Sequence, residues 1–237
     1  MKMKNSLRTL FSTNPYLYFI WFKIYRSNRG LKIKWFNNQS KIFFDGYPRS
    51  GNTFLAHLMR AIYNDKNIIH HFHAVAPLKI ALNKNIKSVI IIRNPQDSIS
   101  SNYLKKHELK TLPEETNLKL LKMMLNDYIV YYKFIYKNVN KIHLVKFSDL
   151  INNPETTLLN IDNFLHNYSK IDDKEKIKDC ISKRRKVKFG ATSKLGASLP
   201  NKQKEDLKSI LKKELKNLKE SKEADNIFKK ITSLNGK

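Results

Sequence analysis

The stretch best suited to chemistry is Phe43-Phe44-Asp45-Gly46-Tyr47-Pro48-Arg49-Ser50-Gly51-Asn52-Thr53-Phe54. An apolar run leads into Gly46, four residues separate it from Gly51, and Asn52-Thr53 open the next segment. In a glycine-bounded loop between a strand and a helix, backbone N–H groups and the helix N-terminus cradle a phosphate-like anion. Mg-ATP chemistry would need Lys directly after the second glycine, to reach the outer phosphates. Asn52 stands there instead, and Arg49 is the only basic residue of the loop. The spacing therefore predicts a site for a phosphate-like anion, but not one built for Mg-ATP chemistry in the usual way.

A second junction has the same character. Lys87-Ser88-Val89-Ile90-Ile91-Ile92-Arg93 is a β-branched run suited to a strand buried on both faces of a parallel sheet. Asn94 and Pro95 then give a helix N-cap and a first-turn proline. Arg93 falls at the carboxyl end of that strand, where ligands of open α/β sheets bind. Ser98 and Ser101 share a face of the helix that follows.

These two segments resemble the sulfotransferases that use 3′-phosphoadenosine 5′-phosphosulfate (PAPS). The 5′-phosphosulfate loop of that family runs Pro, a basic residue, Ser-Gly, a small residue, Thr and an aromatic; here it is Pro48-Arg49-Ser50-Gly51-Asn52-Thr53-Phe54. The family's 3′-phosphate motif, Arg-Asn-x-x-Asp with Ser eight positions after the Arg, matches Arg93 and Ser101. A third segment, Phe147-Ser148-Asp149-Leu150 through Asn153-Pro154 to Phe164-Leu165, follows the family pattern with Phe147 in place of the usual Tyr. The resemblance implies that Arg49 neutralises the leaving phosphate, and that the N–H groups of Ser50 to Phe54 and the Thr53 hydroxyl bind the 5′-phosphate. It also implies that Asn52 assists, that Phe54 lies against the adenine, and that Arg93 and Ser101 hold the 3′-phosphate. The family's Lys-Thr-His falls on His71-Phe72-His73, which makes His73 the expected base, with His70 and His71 as alternatives. Strand alternation would put His71 and His73 on one face and His70 on the other. The family's last phosphate motif, Arg-Lys-Gly, is not intact. Lys194 is its nearest counterpart by position, with Arg184 and Arg185 as other candidates. PAPS is the implied sulfonate donor, its bisphosphate PAP the product, and no metal is expected.

The elements that must position these residues alternate. Strands are expected at about 41–46, 67–73, 87–93 and 141–147. Helices are expected at 52–63, 76–82, from Pro95, from Pro154, and through Leu207, Ile210, Leu211, Leu215 and Leu218. Leu118, Leu121, Leu125, Ile129, Tyr132 and Ile135 recur at helical spacing and read as core. The fold class is α/β: a single domain with a mostly parallel central sheet flanked by helices, as in P-loop kinases. The domain spans 41–220, behind a basic, aromatic lead-in over 1–40 and ahead of a tail over 221–237.

Net charge is +26, carried by 38 Lys and 8 Arg among 237 residues. That favours anionic ligands, but it also fits a general preference for Lys and is not by itself a nucleic-acid signature. The single cysteine, Cys180, excludes an internal disulfide and fits a reducing, cytoplasmic setting. No run is long enough to span a bilayer, although Tyr16 to Phe22 between basic residues would suit a membrane surface as well as a packed helix. The function expected is sulfonate transfer to a hydroxyl or amine acceptor, with a carbohydrate acceptor and peripheral membrane contact left open. A divergent P-loop nucleoside or sugar kinase and a non-enzymatic protein that binds nucleic acid or membrane are the rival readings; nucleic acid is disfavoured because charge does not explain the two motifs.

Overall fold

The computed structural model describes residues 2–27, 35–63, 67–106, 116–165 and 202–234, together with 175, 178, 179, 181 and 182. Two helices lead, α1 (Lys2–Thr13) and α2 (Pro15–Ser27). Then come β1 (Ile42–Gly46), α3 (Asn52–Ile62), β2 (Ile68–His70), α4 (Val75–Asn83), β3 (Lys87–Ile92) and α5 (Pro95–Lys106). The 20-residue α6 (Leu118–Lys137), β4 (Ile142–Lys146), α7 (Phe147–Asn152) and α8 (Pro154–Leu165) follow. The last two helices are α9 (Lys202–Lys216) and α10 (Lys219–Leu234).

The four strands form one parallel sheet in the order β2-β1-β3-β4. Gly46 aligns with Ile91, and Ile92 with Lys146, so the carboxyl ends of the strands share one edge. Chain connections run outward from β1 in both directions. The turns after β1, β2 and β3 therefore meet where the strand order reverses, the usual ligand position of such sheets.

Side-chain alternation sorts the core into two layers. Phe43, Ile69, Ile90 and Ile92 face α2, α4, α5, α6, α9 and α10. Ile42, Phe44, Val89 and Ile91 face α3 and α8. Both faces are covered, as the near-continuous apolar runs of β1 and β3 require.

Two expectations change. β2 stops at His70, because it is an edge strand paired only with β1 over three residues. Residues 219–234, expected as a tail, form α10. That helix packs on α6 through Ser221, Ala224, Ile227 and Ile231, and small residues in its buried stripe disguise the apolar period. In the lead-in, Tyr18 and Phe22 of α2 are buried in the first core layer. Lys194, Arg184, Arg185, Cys180 and the expected loop at 107–113 lie outside the described residues.

Candidate active site

The turn after β1 is closed by a hydrogen bond from the Ser50 N–H to the Tyr47 carbonyl at 3.1 Å. Pro48 presets the second position, and Arg49 occupies the third with φ 69°, the left-handed geometry of a type II turn, where glycine is usual. Gly51 follows at φ 93°, and a Cβ there would meet the Phe147 ring at 3.1 Å. The next residues enter α3 with no side-chain cap. The leading N–H groups of a helix have no intrahelical partners. Here they end beside the turn, as an anion cradle requires.

Side chains from elsewhere hold this backbone. Asn52 donates to the carbonyls of Gly46 (3.2 Å) and Tyr47 (3.1 Å), so its amide clamps the loop from within. Tyr132 of α6 donates to the Ile91 carbonyl at 2.7 Å and accepts from the Tyr47 N–H at 3.3 Å. Tyr128 donates to the Arg93 carbonyl at 2.8 Å. Tyr132 had read as core only. It is buried, and it also fixes two strand ends.

Arg49, Arg93 and Ser101, remote in sequence, come together. The Nε of Arg49 donates to Ser101 Oγ at 3.1 Å. Arg93 donates from Nη1 to the Arg49 carbonyl at 2.7 Å and lies over the Phe147 ring at 4.1 Å. Its Nε is buried and has no hydrogen-bond partner among the described residues. Burial lowers the pKa of both guanidinium groups, and for Arg93 the nearby Arg49 charge lowers it further. Two half-buried cations held side by side with an unused buried donor favour a bound anion. Asn94 caps α5 as expected, accepting from the N–H groups of Gln96 and Asp97. Ser98 bonds only to its own helix, through the Asn94 and Pro95 carbonyls. Phe54 packs half-buried on the second core layer.

The turn after β2 is built differently. His71 and His73 have φ 66° and 56°, so simple strand alternation does not apply to them. Asp45, fully buried at the end of β1, accepts from the His73 N–H at 2.7 Å and lies 3.1 Å from its Nδ1. His73 Nδ1 also lies 2.6 Å from the Gly46 carbonyl. A carbonyl can only accept, so Nδ1 carries the proton and Nε2 keeps its lone pair. Burial pulls the His73 pKa down, but the Asp45 charge, the Asp45 hydrogen bond and the Gly46 carbonyl together raise it above the ordinary value. Asp45 appeared in the sequence only as an acid within an apolar strand. That anomaly was the available signal for its role.

His70 and His71 form a separate chain. Arg60 can only donate, so His70 Nε2 accepts from it at 3.0 Å. The His70 Nδ1–H then points to His71 Nδ1, and the His71 Nε2–H to Thr53 Oγ1 at 3.4 Å. Burial, with the adjacent His70 and His73, lowers the His71 pKa to about 3, which suits this neutral tautomer. Thr53 is left with its own proton to donate toward the cradle.

A cavity of about 420 Å³ adjoins His73. Its wall includes Phe11 and Trp21 of the leading helices, Tyr47, Phe72, and Met123 and Tyr131 of α6. Arg8 and Asp127 pair at its edge, with a closest approach of 2.6 Å. Among the described residues no group of His, Cys, Asp and Glu side chains is arranged to hold a metal, and no helix is long and apolar enough to cross a membrane.

No curated protein matches the chain in sequence. The crystal structure of mouse sulfotransferase SULT7A1 complexed with PAP is similar in fold, with a TM-score of 0.50 and 17% identity, covering 80% of this chain and 89% of that one. The family model described as the sulfotransferase domain matches residues 66–220, a span that includes the β2 turn, Arg93 and Ser101 but begins after the β1 loop. That match covers well over half of the chain, and the protein is a member of the sulfotransferase domain family.

Proposed function

We propose that the protein transfers a sulfonate group from PAPS to a hydroxyl acceptor, with His73 as base. The observation that carries this reading is the convergence of Arg49, Arg93 and Ser101 at the uncapped start of α3, where an orphaned guanidinium nitrogen and free N–H groups fit a nucleotide with two separate phosphates. Arg49 and the N–H groups from Gly51 to Phe54 would hold the 5′-phosphate, with Thr53 donating its hydroxyl proton; the Ser50 N–H, expected among them, is taken by the Tyr47 carbonyl. Arg93 and Ser101 would hold the 3′-phosphate; Lys194 remains a proposed contributor from outside the described residues. The bound donor supplies an electrophilic sulfur on a phosphate leaving group.

The chain's own groups then divide the work. His73 Nε2 accepts the acceptor's proton, and Asp45 stabilises the resulting imidazolium through the Nδ1 side of the ring. Arg49 offsets the charge that grows on the leaving phosphate. Asn52 and Tyr132 keep the loop N–H groups aimed, so that no reorganisation is needed during transfer. The aromatic and methionine lining beside His73 favours an acceptor with an apolar body behind its reacting hydroxyl over a free carbohydrate, which the sequence left open.

Thermal-shift titration with adenosine 3′,5′-bisphosphate, beside Mg-ATP, tests the donor site. The bisphosphate should stabilise the protein without metal, and Arg93→Ala should abolish that response. Stabilisation by Mg-ATP alone would point to a kinase, and no response to either would remove the nucleotide reading.

A further inference from the structure

Residues 1–44 contain nine Lys or Arg and no Asp or Glu. The helices within that span are unusual in a second way. α2 turns Tyr18 and Phe22 into the core, yet its opposite side carries Tyr16 (82% exposed), Ile20 (54%) and Ile24 (58%) beside the exposed Lys23, with Trp21 (44%) on the flank. α1, packed against α2, adds exposed Leu7, Leu10 and Phe11 at helical spacing. A surface helix ordinarily places polar residues opposite its core stripe, whereas α2 sets Lys23 there among Tyr16, Ile20 and Ile24. Contiguous exposed apolar surface of this kind marks an interaction site.

Charge and chemistry select among occupants. A second copy in a symmetric dimer would bring this acid-free segment against itself. Nucleic acid would match the charge and could stack on Tyr16, Trp21 or Phe11, but the larger share of the exposed apolar residues, Leu7, Leu10, Ile20 and Ile24, is aliphatic and offers bases nothing to stack on. Aliphatic side chains with Trp and Tyr among basic residues match the boundary of an anionic bilayer, where aromatic rings sit at headgroup level and each nearby cation adds attraction. Two of the exposed residues, Phe11 and Trp21, also line the cavity that reaches His73, so the cavity borders this surface.

We propose that the α1–α2 face seats on an anionic membrane surface, and that the acceptor is a lipid-borne alcohol which reaches His73 from that surface. The second half rests on the sulfonate-transfer reading above. In the transfer, the sulfur–oxygen bond to the donor phosphate breaks and one to the lipid hydroxyl forms. The hydroxyl proton passes to His73 Nε2.

The test is co-sedimentation of the full chain with vesicles of phosphatidylcholine alone, or of phosphatidylcholine with phosphatidylglycerol. Binding should require the anionic lipid and weaken as salt is raised. It should be lost in the double variant Ile20→Asp, Ile24→Asp. Both positions are exposed and away from the cavity lining, so stabilisation by adenosine 3′,5′-bisphosphate should persist and show that the variant is folded. With hexadecanol in the vesicles as acceptor, PAPS-dependent sulfonation should run about tenfold faster on anionic than on neutral vesicles, the gain expected when roughly 1.4 kcal/mol of surface attraction concentrates the enzyme. Equal binding to neutral vesicles, binding to neither, or a dimer that the double variant abolishes would overturn the docking face. Anionic binding without a bisphosphate response would instead overturn the donor reading, and the lipid-borne acceptor with it, while the docking face stands.

Discussion

The turn after β1 and the turn after β2 leave the same edge of one sheet, and both hold non-glycine residues at positive φ. They are braced in opposite ways. The β1 turn presents backbone: Asn52, Tyr132 and Arg93 take up its carbonyls and the Tyr47 N–H, and its last N–H groups are left facing the anion cradle. The β2 turn presents a side chain: one buried carboxylate, Asp45, holds the backbone and the ring of His73 together. In the proposed reading, an anion spread over several oxygens would be met by several modest donors, and a single proton by one ring whose tautomer is fixed from behind. The two turns should therefore fail differently.

The largest expected effect separates them most cleanly. His73→Ala should lower turnover about 10²- to 10⁴-fold, the range for a lost general base, with stabilisation by adenosine 3′,5′-bisphosphate unchanged. A variant with near-normal turnover would show that the β2 turn does not supply the base. Arg49→Ala should reduce turnover about 10²- to 10³-fold, as for a lost donor to developing charge. Unlike the histidine change, it should also weaken the bisphosphate response. A kinetic defect without any binding defect would restrict Arg49 to the transition state.

Asp45→Asn probes the bracing of the β2 turn. Its cost should be about 10- to 100-fold, comparable to losing the partner that orients a metal-bound histidine. The pH profile carries the sharper signature. His73 works as a base only when neutral, so activity should rise with pH through its folded pKa. That pKa is raised by the Asp45 charge against the opposing effect of burial, so the acid limb should lie above the ordinary histidine value of about 6.5. Removing the carboxylate charge should move the limb to lower pH, and an unmoved limb would assign it to another group. The smallest effect is expected at Tyr132→Phe. It leaves the Ile91 carbonyl and the Tyr47 N–H without their phenol, at about 1–3 kcal/mol, read by denaturant unfolding. Bisphosphate binding should weaken in step, because the β1 turn loses one of its clamps.

What could be read from sequence follows the same division. The β1 turn and the β3–α5 junction are contiguous, so spacing marks Arg49, Gly51, Arg93 and Asn94, and the family resemblance adds Ser101. The alternation of elements was equally legible, since β1 and β3 are buried on both faces and carry unbroken apolar runs. The wall beside His73 is drawn from α1, α2, the β2 turn and α6, and no local pattern announces such an assembly. Asp45 was hidden because a lone acid in a strand has no period, and Tyr132 because a phenol at a core position reads as bulk. α10 was missed because Ser221 and Ala224 bury little surface and so weaken its apolar stripe.

Arg93 does three things at once: it supports the Arg49 carbonyl, lies over the Phe147 ring, and keeps a buried Nε without a hydrogen-bond partner among the described residues. A planar group with five donors in a fixed fork can do this, and a single ammonium cannot. In a chain that writes positive charge as 38 lysines against 8 arginines, this is a position where the common cation will not serve. Replacement of Arg93 by Lys would preserve net charge to the last unit and still dismantle the site.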